Sequence, residues 1–246
     1  MAGCGQIVTT TATRTPTLLS LAHPTITPTA MLRLIRTPTL YSTYSTALAL
    51  APTVLPLPLL PPKCYETPVG SLWCFGLIRN TQDKPIGQIM VRVYLVSSDG
   101  SALVEKQVAS ARASLAPGEF TPYGVLFDSQ PAGSVGPVVM LISAVNLEAS
   151  ALSTSVKVNE FYSETRDGAY HITGTLINSD SKSLRTLSLV VTLLDGEDHV
   201  TGFRQVRWDD AQVLMPTATL PFTVDVIPFG QGPMRVEISA EGHPVG

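Results

Sequence analysis

The sequence lacks the motifs by which many catalytic and cofactor-binding proteins are recognised. It contains no Gly-x-Ser-x-Gly nucleophile elbow and no glycine-rich phosphate loop. It has four histidines, and none of them is expected to pair with a cysteine or a carboxylate at a metal site. Its net charge of −3 offers no basic field to a nucleic-acid backbone. We therefore expect a protein that is not an enzyme, with no cofactor, no metal ion and no nucleic-acid partner.

A long apolar run is also missing. The nearest approach to one is residues 47–60, which is shorter than the roughly 20 residues needed to cross a bilayer. Pro52, Pro56 and Pro58 would each remove a hydrogen bond from a helix drawn through this stretch. No membrane-spanning helix is therefore predicted.

Acidic residues are absent from residues 1–62, although the whole chain has 19 of them. This segment is rich in threonine and proline, and Thr-Pro-Thr occurs in it three times. Each proline disfavours a helical conformation in the residue before it, and the small polar neighbours can bury little apolar surface. We interpret residues 1–62 as a disordered, semi-stiff tail that acts as a spacer.

The tail begins Met1-Ala2-Gly3-Cys4, which resembles the end of a bacterial lipobox, where small residues precede the cysteine that is lipidated. Cys4 is therefore the candidate for lipidation, and this anchor is the only membrane contact that we expect. The hypothesis needs a start further upstream, because the charged and apolar regions of a signal peptide do not precede Cys4. Two alternatives stay open: an incidental thiol, and an organellar transit peptide, whose amphipathic helix the prolines would interrupt.

The rest of the chain contains an internal repeat. Gly76–Asn80, a polar tetrapeptide and an alternating run from Ile86 recur as Gly174–Asn178, a polar tetrapeptide and a run from Leu184, at a separation of 98 residues. Later matches are Pro122–Val125 with Pro221–Val224 and Ile142–Ala144 with Ile238–Ala240.

Apolar residues alternate with more polar ones in both runs, which is the period of a strand with one buried face. The apolar positions are Ile89, Val91, Val93 and Leu95 in the first run and Leu187, Leu189, Val191 and Leu193 in the second. Turn residues end each run, and no helical stripe separates the strands. The predicted fold is all-β, with two tandem immunoglobulin-like antiparallel β-sandwiches at residues 63–150 and 156–243.

These residues resemble the FxLYD-type immunoglobulin-like domains of bacterial and archaeal envelope proteins. The resemblance covers residues 64–243. In the first repeat it rests on Gly76–Asn80, on Val93–Ser97, and on Leu115–Glu119 before Tyr123; in the second it rests on Gly174–Asn178, Leu193–Asp195 and Phe222. It implies a surface or secreted accessory domain without a shared catalytic site.

Cys64 and Cys74 flank the turn-rich stretch Pro68–Ser71. In a hairpin centred on Val69 the two thiols would face each other across the strands, within reach of a disulfide. Two unpaired buried thiols remain the alternative, whereas zinc is disfavoured because no second ligand pair is present. A disulfide would indicate an oxidising, extracytoplasmic compartment.

Four aromatic residues are candidates for an exposed binding surface, namely Trp73, Phe75, Tyr94 and Trp208. For Trp73 and Phe75 the alternative is that they pack between the two modules or over the disulfide. The function that we expect is that of an exported, lipid-anchored protein of the bacterial cell envelope, acting as a spacer or a protein-interaction module. A carbohydrate-binding accessory module that uses these aromatic rings is the alternative, so the partner is an unknown protein or glycan.

Overall fold

The computed structural model describes residues 55–148, 153–230 and 234–245, and the predicted tail up to residue 54, including Cys4, lies outside this range. Within the described residues the chain is all-β, as the alternating pattern predicts, and its strands pair antiparallel. No helix in this part of the chain is long and apolar enough to span a membrane. We refer to residues 55–148 as the N-terminal half and to residues 153–245 as the C-terminal half.

The N-terminal half forms two antiparallel sheets. In one, β2 lies between β1 and β6. In the other, β3 is central, with β4 and β5 along one edge and β7 along the other. The strands are β1 (Lys63–Glu66), β2 (Leu72–Arg79), β3 (Ile86–Ser97), β4 (Ala102–Ala109), β5 (Ser114–Leu115), β6 (Phe120–Phe127) and β7 (Ser134–Asn146).

The C-terminal half is arranged in the order β11-β10-β13-β8-β9-β12. One long strand, β8, joins its two parts, because the first residues of β8 pair with β13 and the later ones pair with β9. The strands are β8 (Thr154–Arg166), β9 (Ala169–Ile177), β10 (Leu184–Leu194), β11 (Val200–Arg207), β12 (Thr219–Val226) and β13 (Arg235–Pro244).

Each half has its own hydrophobic core. All eight alternating residues that the sequence places on a buried face are buried, four in each core. Burying a side chain of this size contributes about 1.5–3 kcal/mol. The first core is built around Ile78, Val91, Leu95, Tyr123 and Phe127, and the second around Ile172, Leu176, Leu189, Leu193 and Phe222.

A fully buried asparagine makes the same hydrogen bonds in both halves. The Asn80 side-chain amide donates to the carbonyls of Lys84 and Leu115, at 2.9 and 3.1 Å, and its Oδ1 accepts from the backbone N–H of Gln82 at 3.0 Å. The Asn178 amide donates to Lys182 and Leu214, each at 2.9 Å, and accepts from the N–H of Asp180 at 2.9 Å. Both side chains tie the turn after a core strand to a neighbouring loop, which explains why an asparagine ends each Gly-x-x-x-Asn segment.

A glycine beneath an aromatic ring also occurs in both halves. A Cβ atom on Gly76 would lie 2.3 Å from the ring of Tyr123, its cross-strand partner on β6. A Cβ atom on Gly174 would lie 2.6 Å from the ring of Phe222, its partner on β12. Each ring therefore covers the glycine opposite to it, so a larger residue would displace the ring.

Four positions with positive φ correspond between the halves. Gln88 and Thr186 both have φ of 51°, and each lies at a register shift in its pairing with β7 or β13. A β-branched residue such as threonine rarely adopts this conformation, so its recurrence at the matched place reflects the same bulge. The other pairs are Gly70 with Gly168, Gly100 with Asp198 and Gly118 with Thr217.

Two details differ from the sequence prediction. The packed part of the chain begins before residue 63, because Leu57 is buried in the first core and Gln82 donates a hydrogen bond to the carbonyl of Pro56. The predicted tail therefore does not extend to residue 62. In addition, the sequence match of Ala144 with Ala240 is wrong. The residue of β7 that corresponds in position to Ala240 of β13 is Leu141, because the β-bulges shift the strand register there.

Candidate functional site

The two halves meet at a third hydrophobic cluster, which we call the aromatic junction. Phe75 on β2 is only 5% exposed, and it packs with Leu194 and Val200 of the C-terminal half. The partly buried residues around them are Tyr65, Trp73, Leu77, Phe120, Phe203 and Phe229. The junction thus joins the outward face of β2 to β10, β11 and the segment after β12.

The position of Trp73 and Phe75 follows from strand alternation. Cys74 between them points into the first core, so both rings point away from that core, as the sequence predicts. Trp73 stacks on Phe75 with ring centroids 5.3 Å apart, while Phe203 meets Phe75 edge-on at 5.9 Å and Phe229 lies at 5.4 Å. The structure places both residues between the halves, which is the alternative to an open binding surface.

Buried charges lie beside the aromatic junction. Arg112 is 7% exposed, and its Nη2 lies 2.8 Å from Glu119 and its Nε 3.6 Å from Glu241 of the C-terminal half. Glu241 also accepts a hydrogen bond from the backbone N–H of Ala113. A second polar link runs from the Gln205 side-chain amide to the carbonyl of Ala111. Because a buried charge without its partner is costly, this cluster disfavours other ways of packing the two halves together.

An ion pair closes another side of the junction. Lys63 Nζ lies 2.9 Å from Asp195 Oδ2, and Asp195 Oδ1 accepts the backbone N–H groups of Glu197 and His199. Burial raises the pKa of the Asp195 carboxyl, but the hydrogen bonds from Lys63 and the two N–H groups outweigh it and hold this pKa well below its usual range.

One sequence expectation about histidine is wrong in this turn. His199 Nδ1 lies 3.4 Å from both Asp195 Oδ2 and Glu197 Oε2, so a histidine does approach carboxylates. The ligand atoms of the three residues lie within 4.8 Å of one another. The sequence separates them by single residues, and only the tight turn after β10 brings them together. Asp195 already binds Lys63 and two backbone N–H groups, so this cluster contributes to the contact between the two halves.

A cavity of about 400 Å³ opens beside the aromatic junction. Trp73, Phe75, Phe203 and Phe229 supply its apolar wall, and Arg204 and Asp225 supply charged groups. Asp225 Oδ1 accepts a hydrogen bond of 2.6 Å from His171 Nδ1. Flat rings beside fixed charged groups can stack on a ligand and orient its polar atoms.

The other two aromatic candidates lie elsewhere. Tyr94 is half-buried on the outward face of β3, between Glu105 on β4 and Val138 on β7. Trp208 follows β11, packs against the second core, and donates its backbone N–H to Leu187. The structure therefore brings Trp73 and Phe75 together but separates them from Tyr94 and Trp208.

The predicted disulfide is confirmed. Cys64 and Cys74 are directly opposite each other in the pairing of β1 with β2, and their sulfur atoms are bonded. Cys74 is completely buried in the first core. The disulfide is consistent with an extracytoplasmic location.

Arg112, Glu241, Phe203 and Phe229 are junction residues that the sequence did not reveal. One signal was available, because β10 carries the apolar residues Val190 and Leu194 on the face opposite its core-facing residues. A strand that is apolar on both faces is typically covered on both. In the structure, nine of the eleven residues of β10 are buried.

No protein-family model matches the chain, and no curated protein matches it. Among solved structures, a red sea bream transglutaminase is 7% identical, with 77% of this chain and 29% of that chain covered and a TM-score of 0.27. A glycoside hydrolase family 2 β-glucuronidase is 12% identical, with 68% and 21% covered and a TM-score of 0.24. A family 2 glycosyl hydrolase from Bacteroides cellulosilyticus is 10% identical, with 72% and 28% covered and a TM-score of 0.24. The chain spans less than a third of the length of each of these structures.

Proposed function

We propose that residues 55–245 are two tandem immunoglobulin-like modules of the FxLYD type, and that the chain is a non-catalytic, exported protein of the bacterial cell envelope. Its modules act as one rigid protein-interaction unit, raised from the membrane by the Thr/Pro-rich tail. The matched asparagines, glycine–aromatic pairs and positive-φ positions of the two halves support the duplication.

The observation that carries this role is the junction between the halves. A simple spacer would tolerate a flexible link, whereas this chain buries Phe75, Arg112 and Glu241 where the halves meet. Burying a charged pair costs free energy, and we take its presence here as support for one fixed arrangement of the halves. A fixed arrangement is what a binding surface composed of two modules needs, because it removes the entropy of ordering them on binding.

The proposed location rests on the Cys64–Cys74 disulfide and on the lipobox-like Cys4. A single acyl chain binds a membrane only weakly, so stable attachment needs more than one chain on the anchor. The lipidated cysteine of a lipobox would carry such an anchor.

Cell fractionation tests the location. The chain, expressed behind its native upstream sequence in a bacterial host, is expected in the membrane fraction, with labelled fatty acid incorporated. Cys4→Ser is expected to remove the label and release the protein, whereas the matched Cys64→Ser/Cys74→Ser variant should keep both. Retention of wild-type protein in the cytosol with reduced Cys64 and Cys74 would contradict the proposal.

Carbohydrate binding is a second candidate, favoured by the cavity beside the aromatic junction. A sugar ring could stack on Trp73 while Arg204 and Asp225 bind its hydroxyl groups. On a glycan array we expect binding that Arg204→Ala weakens at least tenfold without unfolding the protein. Arg185→Ala, which lies on β10 outside the lining of the cavity, is the control. Absence of binding to any glycan would remove this candidate.

A further inference from the structure

The outward faces of β3 and β10 are matched in sequence position but differ in what covers them. Alternate residues of β10 from Ser188 to Leu194 face the N-terminal half and are buried there. The corresponding residues of β3 run from Met90 to Val96 at the same separation of 98 residues, and each of them reaches solvent. The same strand is therefore an interface in one half and an open surface in the other.

Along its β7 edge, the open surface is more apolar than the matching edge beside β13. Val138 on β7 lies opposite Tyr94 and is 47% exposed, and Met140 lies opposite Arg92 and is 46% exposed. At the matching places beside β10, β13 carries Glu237 and Ser239. We call this surface the open face, and its residues are Met90, Arg92, Tyr94, Val96, Val138 and Met140. Exposed apolar residues side by side on a sheet face indicate an interaction surface.

In the part of the chain that the structure describes, the edge of the sheet beside the open face is also unpaired. β13 pairs on its outer side with the start of β8, through Val156 and Ala240. Among the described residues, β7 pairs with β3 alone. The segment before β1 that would correspond to the start of β8 contains Pro56 and Pro58, which have no N–H to donate. No charged residue occurs from Ser134 to Asn146, so this edge lacks the charges that commonly prevent pairing with another chain.

We infer that the open face is the interface of a homodimer, in which a second copy of this chain packs face to face about a two-fold axis. The inference deepens the proposed function and rests on its interaction role. The partner of the open face is then a second copy of the chain, whereas the corresponding outward face of β10 is already covered by the N-terminal half.

Charge complementarity favours a second copy as the occupant. Arg92 on β3 lies 3.5 Å from Glu105 on the neighbouring β4, so the face carries one positive and one negative group side by side. Rotation about a two-fold axis can bring Arg92 of one copy to Glu105 of the other while the apolar residues meet one another. A two-fold interface of this kind uses the same surface twice and closes on itself.

A head-to-tail chain of copies is less well matched. It would place the outward face of β9 and β12 of one copy on the open face of the next, as β2 packs on β10 within the chain. That face presents His171, Thr173 and Asp225 where β2 presents Trp73 and Phe75. Tyr162 of β8 lies opposite Thr173 on that face, but the face lacks the stacked pair of rings at the centre of the junction.

Analytical ultracentrifugation of the purified, oxidised 246-residue chain tests the dimer. We expect a monomer–dimer equilibrium with a Kd in the micromolar range, weakened at least tenfold by Val138→Glu. The matched control is Val213→Glu, at a 42% exposed valine in the loop after β11, which should leave the equilibrium unchanged. Far-UV circular dichroism and the intact disulfide establish that each variant is folded.

A charge reversal tests the two-fold arrangement itself. Arg92→Glu alone is expected to weaken the dimer about tenfold, and mixing the Arg92→Glu chain with the Glu105→Arg chain is expected to restore dimers, because neither variant can re-form the Arg92–Glu105 pair within its own copy. A wild-type chain that stays monomeric at about 200 µM, or that forms a concentration-dependent series beyond the dimer, would overturn the inference. A monomer that still fractionates with the membrane would refute the dimer alone, whereas a dimer found in the cytosol with reduced cysteines would refute only the proposed location.

Discussion

The N-terminal and C-terminal halves share an internal frame but differ at their surfaces. The frame consists of the buried asparagines Asn80 and Asn178, a glycine under an aromatic ring, and a few backbone positions of positive φ. The surfaces around β3 and β10 differ because one is open and the other is covered by the neighbouring half. The difference teaches that a small set of internal contacts specifies the sheets, while the outward residues decide whether a sheet is covered by the neighbouring half.

The two halves also stabilise their first strands differently. In the C-terminal half, the long β8 is hydrogen-bonded to both β13 and β9. In the N-terminal half, the four-residue β1 pairs with β2 alone among the described strands and is fixed to it by the Cys64–Cys74 disulfide. A covalent bond on one side thus takes the place of a longer hydrogen-bonded strand on the other.

The largest effect is expected from breaking the junction between the halves. Phe75→Ala removes the ring at its centre and should lower the free energy of unfolding by about 3–5 kcal/mol. It should also split a single denaturant transition into two, one for each core. The matched control is Phe161→Ala, at a 47% exposed ring of β8, which should change stability by about 0.5 kcal/mol or less. Two transitions already present in the wild-type chain would contradict the coupling of the halves.

Replacing the buried asparagines tests whether the two frames are equivalent. Asn80→Ala and Asn178→Ala each leave two carbonyls and one backbone N–H without their side-chain partner. We expect each to cost about 3 kcal/mol in urea unfolding, because unsatisfied buried polar groups are expensive. Similar losses of stability in both variants would show that the two asparagines contribute equally to their halves. A large cost for one and almost none for the other would show that the frames are not equivalent.

Removing the disulfide is expected to affect only the half that contains it. Cys64→Ala/Cys74→Ala opens a loop with a sequence separation of 10 residues, for which chain entropy predicts a loss of about 2–3 kcal/mol. Hydrogen exchange should become faster in β1 and β2, while β8 and β9 keep their protection relative to the global stability. Equal loss of protection in β8 and β9 would indicate that the disulfide stabilises the junction rather than the first strand.

Acid should weaken the ion pair between Lys63 and Asp195. Because the pKa of Asp195 is lower in the folded chain than the roughly 4 of an unfolded aspartate, its contribution is complete above about pH 5 and is lost as the pH falls. Asp195→Asn is expected to cost about 1 kcal/mol at pH 7, and the stabilities of variant and wild type should converge in acid. A difference that stays constant down to pH 2 would contradict this origin.

The smallest effect, and one of opposite sign, is expected from making the halves more alike. Thr217 has φ of 63° at the place where the N-terminal half has Gly118. Thr217→Gly should relieve the strain of a β-branched residue in this region and stabilise the chain by about 0.5–1 kcal/mol in thermal unfolding. Gly118→Thr is the reverse exchange and should destabilise by a similar amount. Destabilisation by Thr217→Gly would mean that the threonine side chain matters more than its backbone.

The sequence predicts what depends on local pattern. Alternation identified the core-facing residues of β3 and β10, and hairpin parity placed Cys64 opposite Cys74. The contacts of Arg112 with Glu241 could not be predicted, since they depend on how the halves meet and join residues far apart in the chain. The Pro-rich segment around Leu57 was assigned to the tail because its composition is typical of disorder, yet its leucines reach the first core. Composition alone does not show that an extended segment can pack without hydrogen bonds of its own.

The central claim is that the two halves form one rigid unit, and residual dipolar couplings of backbone amides test it most directly. In a weakly aligned sample of the wild-type chain, couplings from β2 and β3 and those from β9 and β10 should fit a single alignment tensor. Phe75→Ala should then yield two separate tensors. Two tensors of different magnitude in the wild-type chain would contradict the account, because the halves would then reorient independently.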